Sequence, residues 1–305
     1  MTPDGYTNEE LMLDVGDGHT LYVHDWGRKD AAKPILVLHG GPGWSNSNRK
    51  KGQFDPETQR VIFFDQRGGG RSLPLGSLEK NTTDHMITDI DAILDHFGIE
   101  KIILCGGSWG SALAFYYGIV RPERVAAMLL DGVYTGSRQE NDWLDKGEFQ
   151  TFFPDAWQKY LDATPEEHRG DPSAYHFARI LGNDANAAKE SAYAYMSLEN
   201  AAISLDDRRM ALDYETFDPV PVKVEVHYLQ NECFVPDRYV FDNAAKLKMP
   251  IYMVQGRYDM VCPPRTAYEL SKLLPSAELI WTTSGHWAER EMWNVKCILL
   301  QQLTS

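Results

Sequence analysis

Apolar residues fall into two alternating patterns along the chain. Unbroken runs at Pro34-Ile35-Leu36-Val37-Leu38, Val61-Ile62-Phe63-Phe64, Ile102-Ile103-Leu104-Cys105, Val125-Ala126-Ala127-Met128-Leu129-Leu130 and Met249-Pro250-Ile251-Tyr252-Met253-Val254 read as strands covered on both faces. Glu278-Leu279-Ile280-Trp281 reads as one more. Leu11-Met12-Leu13 and Thr20-Leu21-Tyr22-Val23-His24, on either side of Gly16-Asp17-Gly18, predict a leading antiparallel pair. Helical spacing takes over at residues 84 to 98, where Met86, Ile87, Ile90, Ile93, Leu94 and Phe97 share a face. Thr83 or Asp84 is the expected N-cap and Gly98 the residue just past the end. Strands alternating with helices in this order predict an α/β fold with a doubly wound, mostly parallel sheet.

From about Tyr134 to Val240 strand runs give way to aromatic-rich, helical pieces holding Trp143, Phe152, Phe153, Trp157, Tyr160, Tyr175, Phe177, Tyr193 and Tyr195. The expectation is a helical cap domain, residues 134–240, inserted into a core made of residues 1–133 and 241–305. Most of the aromatics are expected to be plain core, with some lining a pocket between cap and sheet.

A length of 305 residues allows one large domain with such an insertion. A formal net charge of −14 argues against nucleic acid or an anionic membrane surface as partner. No apolar run approaches the ~18 residues of a membrane span. Met1-Thr2-Pro3-Asp4-Gly5 has neither a basic start nor an apolar core, so no secretory signal is expected. Cys105, Cys233, Cys262 and Cys297 are far apart and read as buried thiols of a reducing cytoplasm.

The candidate chemistry lies where strands end. Gly106-Gly107-Ser108-Trp109-Gly110 turns from a strand into an apolar, Ala-containing helix, which sets Ser108 at a helix N-terminus as an exposed nucleophile. His39-Gly40-Gly41-Pro42-Gly43-Trp44 can continue neither strand nor helix. Its free backbone N–H groups make Gly41, together with Trp109, a candidate oxyanion hole. Asp65-Gln66-Arg67-Gly68-Gly69-Gly70-Arg71-Ser72 lacks phosphate-loop spacing and reads as a turn with buried Asp and Arg pairing. Asp259 and His286 each follow a late strand, and the order Ser108, Asp259, His286 suits a serine nucleophile, its general base and the carboxylate that orients the base. Asp65 and Asp131 also follow strands, but neither lies between Ser108 and His286 at the end of the penultimate strand.

These segments, with Gly256-Arg257-Tyr258-Asp259-Met260-Val261-Cys262-Pro263 and Phe153-Pro154-Asp155-Ala156-Trp157 in the cap, resemble the prolyl aminopeptidase (proline iminopeptidase) family of α/β-hydrolases over nearly the whole chain. The resemblance implies that Glu199 and Glu225 of the cap bind a substrate's free α-ammonium and that Tyr134 contacts its first residue. It implies a serine hydrolase that releases an N-terminal residue, preferably proline, from small peptides or amides through an acyl-enzyme, with no metal or organic cofactor. An amino-acid amidase, esterase or lactonase on the same scaffold is the alternative. The chain departs from the family's Trp-Ser-x-Trp-Glu with Tyr195-Met196-Ser197-Leu198-Glu199 and from its Gly-His-Ser with Gly285-His286-Trp287. Leu144 replaces one of two aromatic walls, and these changes bear on the preference for proline.

Overall fold

Strands that are apolar on both faces need cover on both faces, and the element order supplies it. The structure, a computed structural model, describes residues 5–205 and 212–305. Met1–Asp4, on which most of the reading of the amino terminus rests, and residues 206–211 of the expected cap lie outside the described residues. Eight strands form one sheet: β1 (Tyr6–Gly16), β2 (His19–Arg28), β3 (Ile35–Leu38), β4 (Arg60–Phe64), β5 (Ile102–Ser108), β6 (Val125–Val133), β7 (Ile251–Gly256) and β8 (Ala277–Thr282). Their spatial order is β1-β2-β4-β3-β5-β6-β7-β8. β1 pairs antiparallel with β2 and β2 antiparallel with β4, while every later pairing is parallel.

Side chains alternate across this sheet. Leu36, Leu38, Ile62, Phe64, Leu104 and Leu130 pack on one face with α1 (Thr83–His96) and α2 (Trp109–Val120). Ile35, Val37, Val61, Phe63, Ile103 and Leu129 pack on the other against Met292, Leu299 and Leu300 of the last helix, Arg290–Thr304. Helix α1 buries its expected face, and Gly98, at φ +63°, stands just past its end. Its N-cap, however, is Thr82, with no side-chain cap bond. Thr82, Thr83 and Asp84 are all competent caps, so local preference does not choose among them.

Between Val133 and Ile251 the chain leaves the sheet through α3 (Arg138–Asp145), α4 (Pro154–Asp162), α5 (Pro172–Ile180), α6 (Ala185–Ile203), α7 (Val220–Gln230) and α8 (Tyr239–Asp242). Phe149, Trp157, Tyr160, Phe177, Tyr195 and Met196 form a separate apolar cluster there. Phe152, expected in that core, is instead 56% exposed. Helix α7 joins the two cores: Val222 and Val226 pack into the outer cluster, Val224 and Tyr228 into the main one. Glu225 therefore sits at the seam. No helix among the described residues is long and apolar enough to cross a membrane.

The Gly-rich turn after β4 is held by ions. Asp65 is fully buried and accepts from Arg71 Nε at 2.7 Å and from the backbone N–H groups of Asn46 and Arg71 at 2.9 and 3.0 Å. Arg67 forms a two-pronged pair with Asp89 of α1 at 2.7 and 2.8 Å, both side chains 1% exposed. Removing one partner strands a buried charge. Arg67→Ala should therefore lower unfolding free energy by about 3–5 kcal/mol, and an Arg67→Met/Asp89→Leu double variant by less, as read from urea denaturation midpoints.

Candidate active site

The strand-to-helix turn at Ser108 is tight enough to dictate its neighbours. A Cβ on Gly106 would stand 2.3 Å from Gly110 O, and one on Gly110 would stand 2.3 Å from Leu38 O. Only glycine fits at either place. Ser108 is held at φ +55°, ψ −128°, a strained conformation that lifts its side chain clear of strand and helix. Helix α2 begins at Trp109, so the Trp109 N–H has no intrahelical acceptor. The Trp109 indole donates to Gln66 Oε1 at 2.8 Å, and Gln66 in turn donates from its side chain to His39 O at 3.0 Å. This brace ties the Gly40-Gly41 loop to the start of α2. Gly41, at φ +39°, lies against Trp44, and Gly41, Ser108 and Trp109 all line one cavity.

Asp259 and His286 come together at the ends of β7 and β8. His286 Nδ1 lies 3.1 and 3.0 Å from the two oxygens of Asp259, which is fully buried. Asp259 also accepts from the backbone N–H groups of Val261 and Cys262 at 3.1 and 2.8 Å and from Gln255 Nε2 at 3.3 Å. Burial pushes the imidazole's pKa down, but the charge and hydrogen bond of Asp259 outweigh it and hold His286 above its ordinary 6.5. The end of β6 lies between this pair and the serine. Val133 is in register with Ser108, and a Cβ on Gly132 would stand 3.0 Å from His286 Cε1. Ser108 Oγ faces Cys262 Sγ at 4.0 Å and, among the described residues, makes no hydrogen bond to His286. The two other acids near strand ends are engaged elsewhere, Asp65 with Arg71 and Asp131 with Lys296.

The same cavity is walled by Tyr134, Leu144, Asp145, Tyr195, Glu199 and Glu225. Tyr134 is anchored by its N–H on Ser111 Oγ at 2.9 Å and by its hydroxyl on Asn141 Oδ1 at 2.5 Å. Tyr195 packs into the outer core and also lines the cavity, and Glu199, one turn beyond it on the same face of α6, lines the cavity with it. Glu225 is 8% exposed and accepts from the Trp44 indole at 3.4 Å. Glu199 Oε2 is buried and has no hydrogen-bond partner. Burial raises both carboxyls, and proximity to Glu225 raises that of Glu199 further. Among the described residues no group of three or more His, Cys, Asp or Glu side chains is placed to hold a metal ion.

Four neighbours escaped the sequence reading: Gln66, Gln255, Asp145 and the indole of Trp44. Gln255 offered a signal, being an amide in the last position before the Gly256 that ends an otherwise apolar strand. It donates to Asp259 and Cys262 O and accepts from the Val133 N–H at 2.8 Å, so it locks β6, β7 and the acid together.

Residues 33–288 match the alpha/beta hydrolase fold family. The chain is 37% identical over 290 residues to a proline iminopeptidase of Arabidopsis thaliana, an alignment covering 90% of this chain and 74% of that one. It is 36% identical over 282 residues to a proline iminopeptidase of Xylella fastidiosa strain Temecula1, covering 90% of each. In fold it is similar to the crystal structure of a proline iminopeptidase of Mycobacterium smegmatis, with a TM-score of 0.65, 19% identity, and 97% and 99% of the two chains covered. A serine-bearing elbow, a buried acid–imidazole pair beside it and these alignments over nine-tenths of the sequence lead to one conclusion: the chain belongs to the proline iminopeptidase family of α/β-hydrolases.

Proposed function

We propose that this chain is a serine aminopeptidase that releases an N-terminal residue, proline foremost, from small peptides or amides with a free amino terminus. The observation that carries the reading is the pair of buried carboxylates, Glu199 and Glu225, in the cavity that also exposes Ser108. A free α-ammonium entering there trades its water for the two acids, and its charge favours their ionised forms. An N-acylated chain has no charge to offer and leaves them unpaired. Residues 134–240 act as the cap that holds these acids over the sheet.

Ser108 Oγ attacks the scissile carbonyl, and His286 takes its proton as Asp259 fixes the ring and balances the imidazolium charge. The serine turns from Cys262 toward His286 as substrate seats, a tightening common in sites seen without ligand. The N–H groups of Gly41 and Trp109 receive the oxyanion. His286 then protonates the leaving amine, and water hydrolyses the acyl-enzyme by the same route in reverse. Tyr134 supplies an apolar wall for the first residue. The free thiols Cys105, Cys233, Cys262 and Cys297 favour a cytoplasmic setting.

Ser108→Ala should lower kcat on prolyl arylamide by about 10³-fold or more and abolish labelling by a serine-directed phosphonate. Glu225→Gln should cut kcat/KM on that arylamide by about 30-fold or more, yet change little on an ester lacking the amine; equal losses on both would remove the amine-reading role. Catalysis needs the neutral imidazole, so activity on such an ester should be lost as pH falls through a midpoint above 6.5. Asp259→Asn should move that midpoint downward, as a pH profile of kcat/KM will show, because burial then acts on His286 with its main opponent gone.

A further inference from the structure

Asp145, the last residue of α3, stands in the cavity with Glu199 and Glu225 and has no duty in the mechanism above. It is 9% exposed and lies against the Tyr195 hydroxyl, yet its Oδ1 has no hydrogen-bond partner. Its neighbour Lys146 is half-exposed and gives its ammonium to Asp171 at 2.8 Å instead. The fourth acid of the lining, Glu140, is fully occupied by the Thr135 and Ser137 N–H and hydroxyl groups. Among the described residues that line the cavity there is no Lys, Arg or His.

A lone α-ammonium can satisfy the Glu199/Glu225 pair. It leaves Asp145 buried beside them with an oxygen unanswered, which is costly unless something else supplies a donor. Burial raises the Asp145 carboxyl to about 7, so it is divided between its neutral and charged forms at neutral pH, and a nearby cation would fix the charged one. Leu144 beside it and Tyr134 across from it offer apolar surface on which a methylene stem can lie.

We propose that Asp145 reads the side chain of the substrate's first residue, and that besides proline the pocket takes amino-terminal residues whose side chain ends in an amine. This rests on the aminopeptidase reading and names its substrate class more closely. Asp145 is then a specificity-determining residue, and the first residue is held at two cationic ends, its α-ammonium on Glu199 and Glu225 and its side-chain ammonium on Asp145.

The test compares kcat/KM of the full chain at pH 8 on lysyl, norleucyl, prolyl and 4-hydroxyprolyl arylamides, and on an ester without an amine. Lysyl should exceed the similarly shaped but neutral norleucyl by about tenfold or more, and Asp145→Asn should bring that ratio close to one. A wild-type ratio of one or below overturns the proposal without recourse to any variant, as does an Asp145→Asn enzyme that keeps the ratio. A preference for 4-hydroxyprolyl over prolyl with no lysyl advantage also overturns it, since Asp145 would then read a hydroxyl. Cleavage of prolyl and norleucyl arylamides without a lysyl advantage defeats this inference alone. Turnover of the ester with no arylamide cleaved defeats the aminopeptidase reading and this inference with it.

Discussion

The closeness with which α2 crosses the carboxyl ends of β3 and β5 is the constraint on which the rest depends. Backbone meets backbone there: Gly110 lies under Leu38 O and Gly106 under Gly110 O, with no room for a side-chain carbon. That approach holds Ser108 in a conformation costing of order 1–3 kcal/mol, a strain that persists only because its surroundings over-determine it. Eleven of the twelve residues of α2 are buried, and their packing supplies the over-determination. The same approach brings the Trp109 N–H and the Gly40-Gly41 loop to one side of the serine, so the proposed nucleophile and the proposed oxyanion donors are positioned by a single contact.

Over this rigid floor the outer helices set acids that the floor does not balance. The two layers differ in how charge is treated. Below, each buried acid has its cation or hydrogen-bond donors: Asp65 with Arg71, Asp89 with Arg67, Asp131 with Lys296, and Asp259 with His286 and two amides. Above, Glu199 and Asp145 keep buried oxygens without partners. Fully answered polar groups hold a fold in place, and an unanswered buried oxygen calls for an explanation.

Much of this was legible because it is local. Runs of Ile, Leu and Val placed the five central strands to within three residues at either end, and glycine spacing marked the elbow, since the Gly106–Gly110 part of the steric conflict lies within five residues. The leading strands proved longer than read, Tyr6–Gly16 and His19–Arg28, because β1 is polar and largely solvated at the sheet edge and β2 continues through the polar Asp25 and the Gly27 that an apolar run does not reveal. The order of Ser108, Asp259 and His286 was readable, but the orientation of the serine toward Cys262 was not. Glu199 and Glu225 were reachable only through resemblance, and Asp145 not at all. An acid near the end of a helix ordinarily faces water, and the cavity that takes this one in is completed by Tyr195, Glu199 and Glu225, 50 or more positions away.

One backbone contact ties the two layers together. The N–H of Trp287, the residue after the histidine, donates to Ile203 O at the last turn of α6 at 2.8 Å, four residues beyond Glu199. The proposed base and the proposed amine anchor thus hang from a common mechanical frame. A shift of α6 drags the imidazole's loop with it, a mechanical link beside the direct charge interaction of Glu199 with His286, so energetic effects of substitutions at the two places should fail to add.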